Sequence, residues 1–275
     1  MLLSGIGKFL PLWIVLIVLL SGTGAKADDN IFNSTTAIKD GFVRLGNEAV
    51  DVVTTPIDVK GYGLIGTLAT AGAVGLTYVF DDDIRGKLRG SRSGTLATAT
   101  DVGEIIGNPF VHLGVAGVVY GGGVLAGSPK WRETGEMLGE AALLADAATF
   151  VLKQSIGRSR PSETGDKGRF RPFQFKSDYD SMPSMHTASS FAMASVMAST
   201  SENYGVKALY YSVAAFVGFS RMYQDKHWAS DVVLGAAIGE LCGRVVTKYH
   251  VSHRKIAIAP MVSSDSASLA LVGNW

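Results

Sequence analysis

Three short groups of polar residues, far apart in the chain, contain residue types that can bind a tetrahedral oxyanion and attack its central atom. The groups are Lys153 with Arg160, then Ser184 with His186, then Arg221 with His227 and Asp231. Arginine offers forked donors and lysine a point charge to such an anion, while histidine acts as a nucleophile or as an acid–base group. Brought together, these residue types would form a cage for phosphate or a similar ion.

Each group also has an ordinary structural interpretation when it is considered alone. Lys153 and Arg160 would complement the dipole at the C-terminal end of a helix. Ser184 follows a proline and is typical of a helix start. His227 and Asp231, four residues apart, are typical of a hydrogen-bonded pair on one helix. The chemical interpretation therefore depends on whether the fold brings the three groups to one place.

The helices predicted around these groups give a reason for them to meet. Helical periodicity predicts helices at residues 136–156, 185–200, 206–223 and 229–249. In an up-and-down bundle, the ends of alternate helices lie on the same side. The end of the first helix, the start of the second and the link between the third and fourth are therefore expected to converge. Backbone N–H groups at the start of the second helix would add an anion site.

The composition gives the chain almost no net charge, so any positive charge that binds an anion must be concentrated at one site. The 275 residues have a net charge of +1, a mean hydropathy of +0.23 and 18% charged residues, so there is no bulk attraction to nucleic acid or to an anionic membrane. One cysteine, Cys242, excludes an intrachain disulfide and a thiolate metal cluster. The polar loop 157–180 is expected to steer an anion inward, although its charge also suits a solvated loop. Its basic residues are Arg158, Arg160, Lys167, Arg169, Arg171 and Lys176.

The amino terminus has the pattern of a secretory signal peptide. Lys8 precedes the uncharged apolar run 9–20, and Ala25 and Ala27 are small residues at the two positions that a signal peptidase reads. We expect residues 1–27 to be a cleaved signal peptide, with an uncleaved anchor as the alternative. Export of a chain without a cysteine pair indicates a bacterial cell envelope, with the site in the periplasm or on a membrane facing it.

The rest of the chain is predicted to be all-α, a membrane-associated bundle of about six helices. The runs 62–80 and 105–129 contain no Asp, Glu, Lys or Arg and approach the length of a transmembrane helix. Glu240 interrupts the last helix, which leaves a buried soluble bundle as the alternative. Residues 28–250 would form one helical domain. Alternating apolar residues in 251–275 predict a short C-terminal extension resembling a β-hairpin.

The order of the three groups resembles the signature of a known family. The patterns K-x6-R-P, P-S-x-H-T and S-R-x5-H-x3-D, within residues 153–231, are similar to the three motifs of the type-2 phosphatidic acid phosphatase superfamily. This superfamily includes bacterial non-specific acid phosphatases and vanadium haloperoxidases. Every polar position of the signature is filled. The departure is Met185, which stands where the family usually has glycine and leaves the substrate range open.

The resemblance implies a phosphatase that needs no metal or other cofactor and hydrolyses phosphate monoesters or diphosphates. Apolar helices around the site suggest that the substrates are lipid-linked phosphates. If the bundle is soluble instead, small phosphomonoesters are the expected substrates. His227 would attack phosphorus, Asp231 would hold the other ring N–H of His227, and His186 would protonate the leaving oxygen and then activate water. The non-bridging oxygens would be bound by Lys153, Arg160, Ser184 and Arg221.

Three alternatives use the same residues. A phosphotransferase would pass the phosphoryl group to a lipid or sugar acceptor, and Met185 leaves this open. A vanadium haloperoxidase would hold vanadate in the same cage, but Asp231 is expected of the phosphatase branch. A non-catalytic envelope protein would bind the anion without hydrolysing its esters. None of these alternatives involves a nucleic-acid partner.

Overall fold

The computed structural model describes residues 31–252, 256–263 and 266–273. The expected signal peptide, residues 1–27, lies outside the described residues. Within them the chain forms nine α-helices and two strands. The helices are α1 (Ile31–Thr54), α2 (Gly63–Val79), α3 (Asp81–Gly90), α4 (Gly94–Ile106), α5 (Pro109–Leu125), α6 (Pro129–Ile156), α7 (Met185–Ser199), α8 (Tyr204–Tyr223) and α9 (Ala229–Ser252). Short 3-10 turns occupy Thr55–Ile57 and Ser177–Tyr179.

The prediction of about six helices is wrong, and α3 is one of the helices that it misses. The sequence pattern indicates a charged turn after the apolar run that ends at Phe80, but residues 81–90 form a separate helix. The order of charges explains this helix, since acidic residues fill its first turn and basic residues its last, which complements the helix dipole. These residues are Asp81, Asp82 and Asp83, then Lys87 and Arg89.

The second apolar run is also divided. The side chain of Asn108 accepts a hydrogen bond from the Phe110 amide at 2.9 Å, and Pro109 occupies the first turn, so α5 begins there. Ile105 belongs to the preceding helix, α4, which is capped at its start by Ser93. Pro109 and repeated glycines interrupt the run in the sequence, but hydropathy alone does not indicate that its first two residues belong to a separate helix.

Helices α6, α7 and α9 surround the main core and bring one set of their ends together. The buried apolar side chains include Leu138, Ala141, Ala145, Ala188, Ala192, Val196, Cys242 and Val246. Small residues allow a close approach, since a Cβ on Gly239 would lie 2.1 Å from the carbonyl oxygen of Ala188. The Ser184 N–H donates to the carbonyl oxygen of Asp231 at 3.0 Å. The starts of α7 and α9 are thus held side by side.

A hairpin of two antiparallel strands follows the helices. β1 (Ile256–Ser263) pairs with β2 (Ser266–Gly273), with Ile256 opposite Gly273 and Ser263 opposite Ser266. The strands fall within the alternating sequence of residues 251–275.

Among the described helices, none is by itself both long enough and apolar enough to cross a membrane. Two bent pairs reach that length and composition together: α2 with α3, which are bent by 55°, and α4 with α5, which are bent by 57°. These pairs carry exposed apolar side chains, among them Leu68 at 64%, Ile105 at 63% and Val118 at 76% exposure. By length and composition, the described segments that match the membrane association expected from the sequence are therefore bent helix pairs rather than single straight helices.

Candidate functional site

The first group of residues lies where α6 ends. Lys153 is buried in the last turn of α6, and Gly157 follows in the left-handed region with φ of 61°. A Cβ at Gly157 would lie 2.0 Å from the carbonyl oxygen of Arg171, so glycine is required both for the backbone angle and for the space. This turn directs the chain, and with it Arg160, across the end of the bundle.

The second group lies at the start of α7. The Ser184 side chain does not cap this helix, so the N–H groups of the first turn stay available to an anion. Ser184 Oγ accepts a hydrogen bond from Thr187 Oγ1 at 2.9 Å, which leaves its own proton to be donated elsewhere. His186 follows in the first turn and is half-buried.

The third group lies between α8 and α9. Arg221 is buried in the last turn of α8, and His227 is buried in the turn that precedes α9. Burial lowers the pKa of His227 well below its usual value, and the charges of Lys153, Arg160 and Arg221 lower it further. Cations from all three segments therefore act on one imidazole, as expected for ends of helices that converge.

The hydrogen bond at Nδ1 sets the tautomer of His227. Nδ1 lies 2.6 Å from the carbonyl oxygen of Ser181. A carbonyl oxygen only accepts hydrogen bonds, so Nδ1 carries the proton and donates it. The lone pair is then on Nε2. A neutral imidazole with an unprotonated Nε2 has the form required of a nitrogen nucleophile.

Asp231 does not make the contact that the family pattern implies. Its Oδ2 lies 3.8 Å from Nδ1 of His227, too far for a hydrogen bond. Instead, Oδ2 accepts from Ser181 Oγ at 2.5 Å and from the Trp228 N–H at 2.8 Å. Asp231 therefore positions His227 indirectly, by fixing the segment whose carbonyl oxygen accepts the hydrogen bond from the ring. The direct hydrogen bond between Asp231 and His227 that the sequence interpretation predicted is wrong.

His186 is also neutral in the absence of an anion. Burial lowers its pKa to about 2, with smaller contributions from Arg221, His227 and Lys153. A bound phosphate would bring negative charge to the same cations and so raise the pKa of this imidazole. Protonation of His186 is therefore expected to accompany the binding of an anionic ligand.

The basic residues of the site are only partly satisfied by other protein groups. Lys153 Nζ donates to the carbonyl oxygen of Asp180, and Arg160 Nε donates to the Asp180 carboxylate at 2.6 Å. Arg221 Nη1 donates to Gln224 at 2.9 Å, but the buried Nε of Arg221 has no hydrogen-bond partner. Burial also lowers the pKa of Lys153 to about 8. An oxyanion would supply the acceptors that these donors lack.

Arg158 was expected to belong to a basic steering loop, and this is wrong. It is 0% exposed, with Nη1 2.6 Å from Asp231 and Nη2 2.8 Å from Asp81. Its Nη1 also donates to Ser230 Oγ at 2.7 Å.

The pairing of Arg158 with Asp81 was missed because Asp81 lies far away in sequence, next to an apolar run, where no pattern relates it to the motifs. Among the missed residues, Asp81 and Arg158 support Asp231, Ser181 holds His227, and Asp180 pairs with Arg160.

Replacing Gly235 tests the close contact between α7 and α9. In Gly235→Ala the new Cβ would lie 2.5 Å from the carbonyl oxygen of Ser184, so we expect a loss of about 1–3 kcal/mol in the free energy of unfolding. The midpoint of thermal unfolding should fall by about 2–4 °C per kcal/mol. Gly114→Ala is the control, because its Cβ would meet nothing within 4 Å. Equal midpoints in the two variants would contradict the contact.

Comparison with known proteins places these residues in a family context. Residues 137–255 match the family model described as "PAP2 superfamily". The chain is 32% identical over 245 residues to a "Lipid A 1-phosphatase" of Porphyromonas gingivalis, covering 86% of this chain and 49% of the relative. A protein of the same name from Rhizobium johnstonii is 34% identical over 91 residues, covering 32% of this chain and 36% of the relative. The chain thus spans half or less of the length of these relatives.

A solved structure has a similar fold. It is the "Crystal structure of the first transmembrane PAP2 type phosphatidylglycerolphosphate phosphatase from Bacillus subtilis", with a TM-score of 0.52 and 21% identity, covering 73% of this chain and 98% of that chain. The likeness extends to the arrangement of helices. All seven residues predicted from the sequence lie within the segment that matches the family model.

Proposed function

Residues 137–255 match the model of the PAP2 superfamily, and on that basis we propose that the chain is a phosphatase working through a phosphohistidine. The observation that carries the proposal is the state of His227. Its Nδ1 proton is held by the Ser181 carbonyl oxygen at 2.6 Å, so its Nε2 lone pair is available beside three basic side chains.

In the first step, Nε2 of His227 attacks the phosphorus of a phosphate monoester. The N–P bond forms while the bond between phosphorus and the leaving oxygen breaks. His186, protonated once the anion is bound, gives its proton to that oxygen, and an alcohol leaves. The Nδ1–H of His227 keeps its hydrogen bond to the Ser181 carbonyl oxygen, and this bond stabilises the positive charge that the ring acquires.

In the second step, water attacks the phosphohistidine. His186 is neutral after the first step and takes a proton from the water molecule as it adds to phosphorus. The N–P bond breaks, phosphate leaves, and His227 returns to its neutral form with the proton on Nδ1. Each step thus uses the two imidazoles in complementary roles.

The basic side chains stabilise the transition state of both steps. Lys153, Arg160 and Arg221 would bind the non-bridging oxygens, where negative charge accumulates. Ser184 adds its unshared hydroxyl proton, and the first turn of α7 adds backbone N–H groups. These fixed positive groups carry out the electrostatic work of transition-state stabilisation, so the proposed mechanism is metal-independent.

We propose a lipid-linked phosphate in the cell envelope as the substrate. Two observations support this: the curated relatives are named as lipid A 1-phosphatases, and the bent pairs α2–α3 and α4–α5 present exposed apolar side chains. Those pairs would enter the lipid and hold the cavity near the phosphate groups of the membrane surface, on its periplasmic side. The 1-phosphate of lipid A is the first substrate to test.

The test is phosphate release by the purified chain in detergent micelles containing lipid A. We expect one free phosphate for each lipid A converted, as measured by mass spectrometry of the lipid and by a phosphate assay. EDTA should leave the initial rate unchanged. Vanadate should inhibit with an inhibition constant about 100-fold below the KM of the substrate, because it imitates the transition state.

Three results would contradict this proposal. A rate that depends on added Mg²⁺ would indicate a metallophosphatase. Lipid A converted without free phosphate, and with phosphate on a second lipid, would indicate a transferase. Release from p-nitrophenyl phosphate but not from any lipid phosphate would place the substrate among small soluble esters.

A further inference from the structure

A second cluster of titratable residues lies at the opposite end of the bundle from His227. Glu48 comes from α1, Glu140 from the first half of α6 and His250 from the last turn of α9. At 1.5 Å per residue, Glu140 lies about 20 Å along α6 from Lys153, and His250 lies about 28 Å along α9 from Asp231. The proposed mechanism uses none of these three residues.

The three side chains converge on a single point. His250 Nε2 lies 2.7 Å from Glu140 Oε2 and 3.8 Å from Glu48 Oε1. One ligand atom from each residue lies within 4.8 Å of the other two. Zn–N and Zn–O bonds of about 2.0–2.2 Å would place tetrahedral ligands about 3.4 Å apart. The observed spacing therefore needs shifts of less than about 1 Å to fit around such an ion.

Glu48 is the observation that points to a ligand. Its side chain is 0% exposed, yet neither carboxylate oxygen has a hydrogen-bond partner. A buried carboxylate without a partner is costly, so such groups are normally paired or bound to a metal. Burial and the charge of Glu140 raise the pKa of Glu48 to about 8 even though Arg44 lies nearby.

The other two residues are already oriented by outer partners. Arg44 Nε donates to Glu140 Oε1 at 2.8 Å, which leaves Glu140 Oε2 facing the cluster. Glu133 Oε1 lies 3.6 Å from Nδ1 of His250, on the side of the ring away from Glu48. Glu133 is thus placed where the outer carboxylate of a carboxylate–histidine–metal triad stands, and it would have to move closer to accept a hydrogen bond from Nδ1.

We propose that Glu48, Glu140 and His250 bind a divalent transition-metal cation, with Zn²⁺ as the best fit. One imidazole nitrogen and two carboxylate oxygens suit Zn²⁺, whereas Mg²⁺ and Ca²⁺ prefer oxygen ligands alone. Two positive charges would balance the two ligand carboxylates. The ion would join α1 to α6 and α9, so its role is to stabilise the bundle rather than to take part in phosphoryl transfer.

The experiment measures Zn²⁺ binding to the full chain, purified without a histidine tag and stripped with EDTA. Isothermal titration with ZnCl₂ should show one ion per chain, and saturating Zn²⁺ should raise the midpoint of thermal unfolding by several degrees. Glu48→Gln and His250→Gln should each weaken the affinity at least 100-fold and abolish the thermal shift. Glu133→Gln, at the outer position, should weaken it about 10-fold to 100-fold.

Two controls separate this site from the rest of the molecule. Asp51→Asn changes an exposed carboxylate one turn along α1 and should bind Zn²⁺ as the unaltered chain does. His227→Ala should also keep its binding, which excludes the other histidine-containing cavity as the source. At temperatures below its unfolding midpoint, Glu48→Gln should retain phosphatase turnover within about threefold of the unaltered chain. The metal site and the proposed phosphatase function can therefore fail separately in the experiment.

The proposal is overturned if the unaltered chain shows no stoichiometric Zn²⁺ binding, or if Glu48→Gln binds Zn²⁺ equally well. It is also overturned if Glu48→Gln in metal-free buffer matches the unfolding midpoint of the unaltered chain with Zn²⁺. In that case, loss of the buried charge alone would explain the stabilisation. Circular dichroism of each variant confirms that it is folded before its affinity is compared.

Discussion

Replacing His227 by alanine is expected to lower phosphatase turnover by at least four orders of magnitude, roughly the cost of removing a covalent nucleophile. The imidazole is the group whose Nε2 lone pair would attack phosphorus. The measurement is the initial rate with lipid A and with p-nitrophenyl phosphate. The effect on the free energy of unfolding should be small compared with the effect on turnover.

Lys226→Ala is the matched control for that variant. Lys226 is the neighbouring residue, half-buried and outside the proposed machinery, and its replacement should change turnover by less than about threefold. A rate for His227→Ala within tenfold of the unaltered chain would refute the nucleophile assignment.

A burst experiment separates the roles of the two histidines. With p-nitrophenyl phosphate the leaving group needs little protonation, so His186→Ala should still complete the first step and then stop at the phosphohistidine. The expected result is a burst of one p-nitrophenol per chain, followed by a slow phase. His227→Ala should give no burst. A burst in both variants would place the covalent bond on another residue.

Replacing Arg158 by methionine is expected to lower the free energy of unfolding by about 3–5 kcal/mol, the cost of breaking a buried ion pair on one side. Arg158 is 0% exposed and bonds to Asp81 and Asp231, both also 0% exposed at the side chain. Its loss would leave two buried carboxylates without their shared cation. Thermal or denaturant unfolding measures the effect, and turnover should fall with it because Asp231 holds the Ser181 segment.

Arg169→Met provides the control, since Arg169 is exposed in the same loop and lies 5.9 Å over the ring of Tyr179. Its replacement should change stability by less than about 1 kcal/mol. The double variant Arg158→Met with Asp81→Asn should recover part of the loss, because one of the two unpaired charges has been removed. Stability of Arg158→Met within about 0.5 kcal/mol of the unaltered chain would contradict the buried network.

These two predictions concern one connected set of contacts. Asp81 at the start of α3 bonds to Arg158, Arg158 bonds to Asp231, Asp231 accepts from Ser181, and the Ser181 carbonyl oxygen fixes His227. The helix that follows the first apolar run is thereby tied to the proposed nucleophile. A change at the outer end of this set is expected to reach the reacting nitrogen through hydrogen bonds of 2.5–2.8 Å.

Much of the helical fold follows from local pattern. The start of α7 at Met185 and the end of α6 at Ile156 agree with the periodicity and with the proline and glycine beside them. The resemblance drawn from the three motifs agrees with the family-model match over residues 137–255. Both depend on residues close together in sequence, where spacing alone carries the information. The helix after Phe80 and the helix boundary at Gly107 were missed because charge order and capping, rather than hydropathy, cause them.

The sequence by itself determined which residue types were available for binding an anion: two imidazoles, three basic side chains and a serine, in an order that a family shares. Only the tertiary structure decided how they are held. The Ser181 carbonyl oxygen, rather than Asp231, bonds to His227, and Arg158 is buried between two carboxylates. Contacts between residues far apart in sequence set both outcomes, and local periodicity holds no information about such pairs. For the same reason the cluster of Glu48, Glu140 and His250 became visible only when three helices packed together.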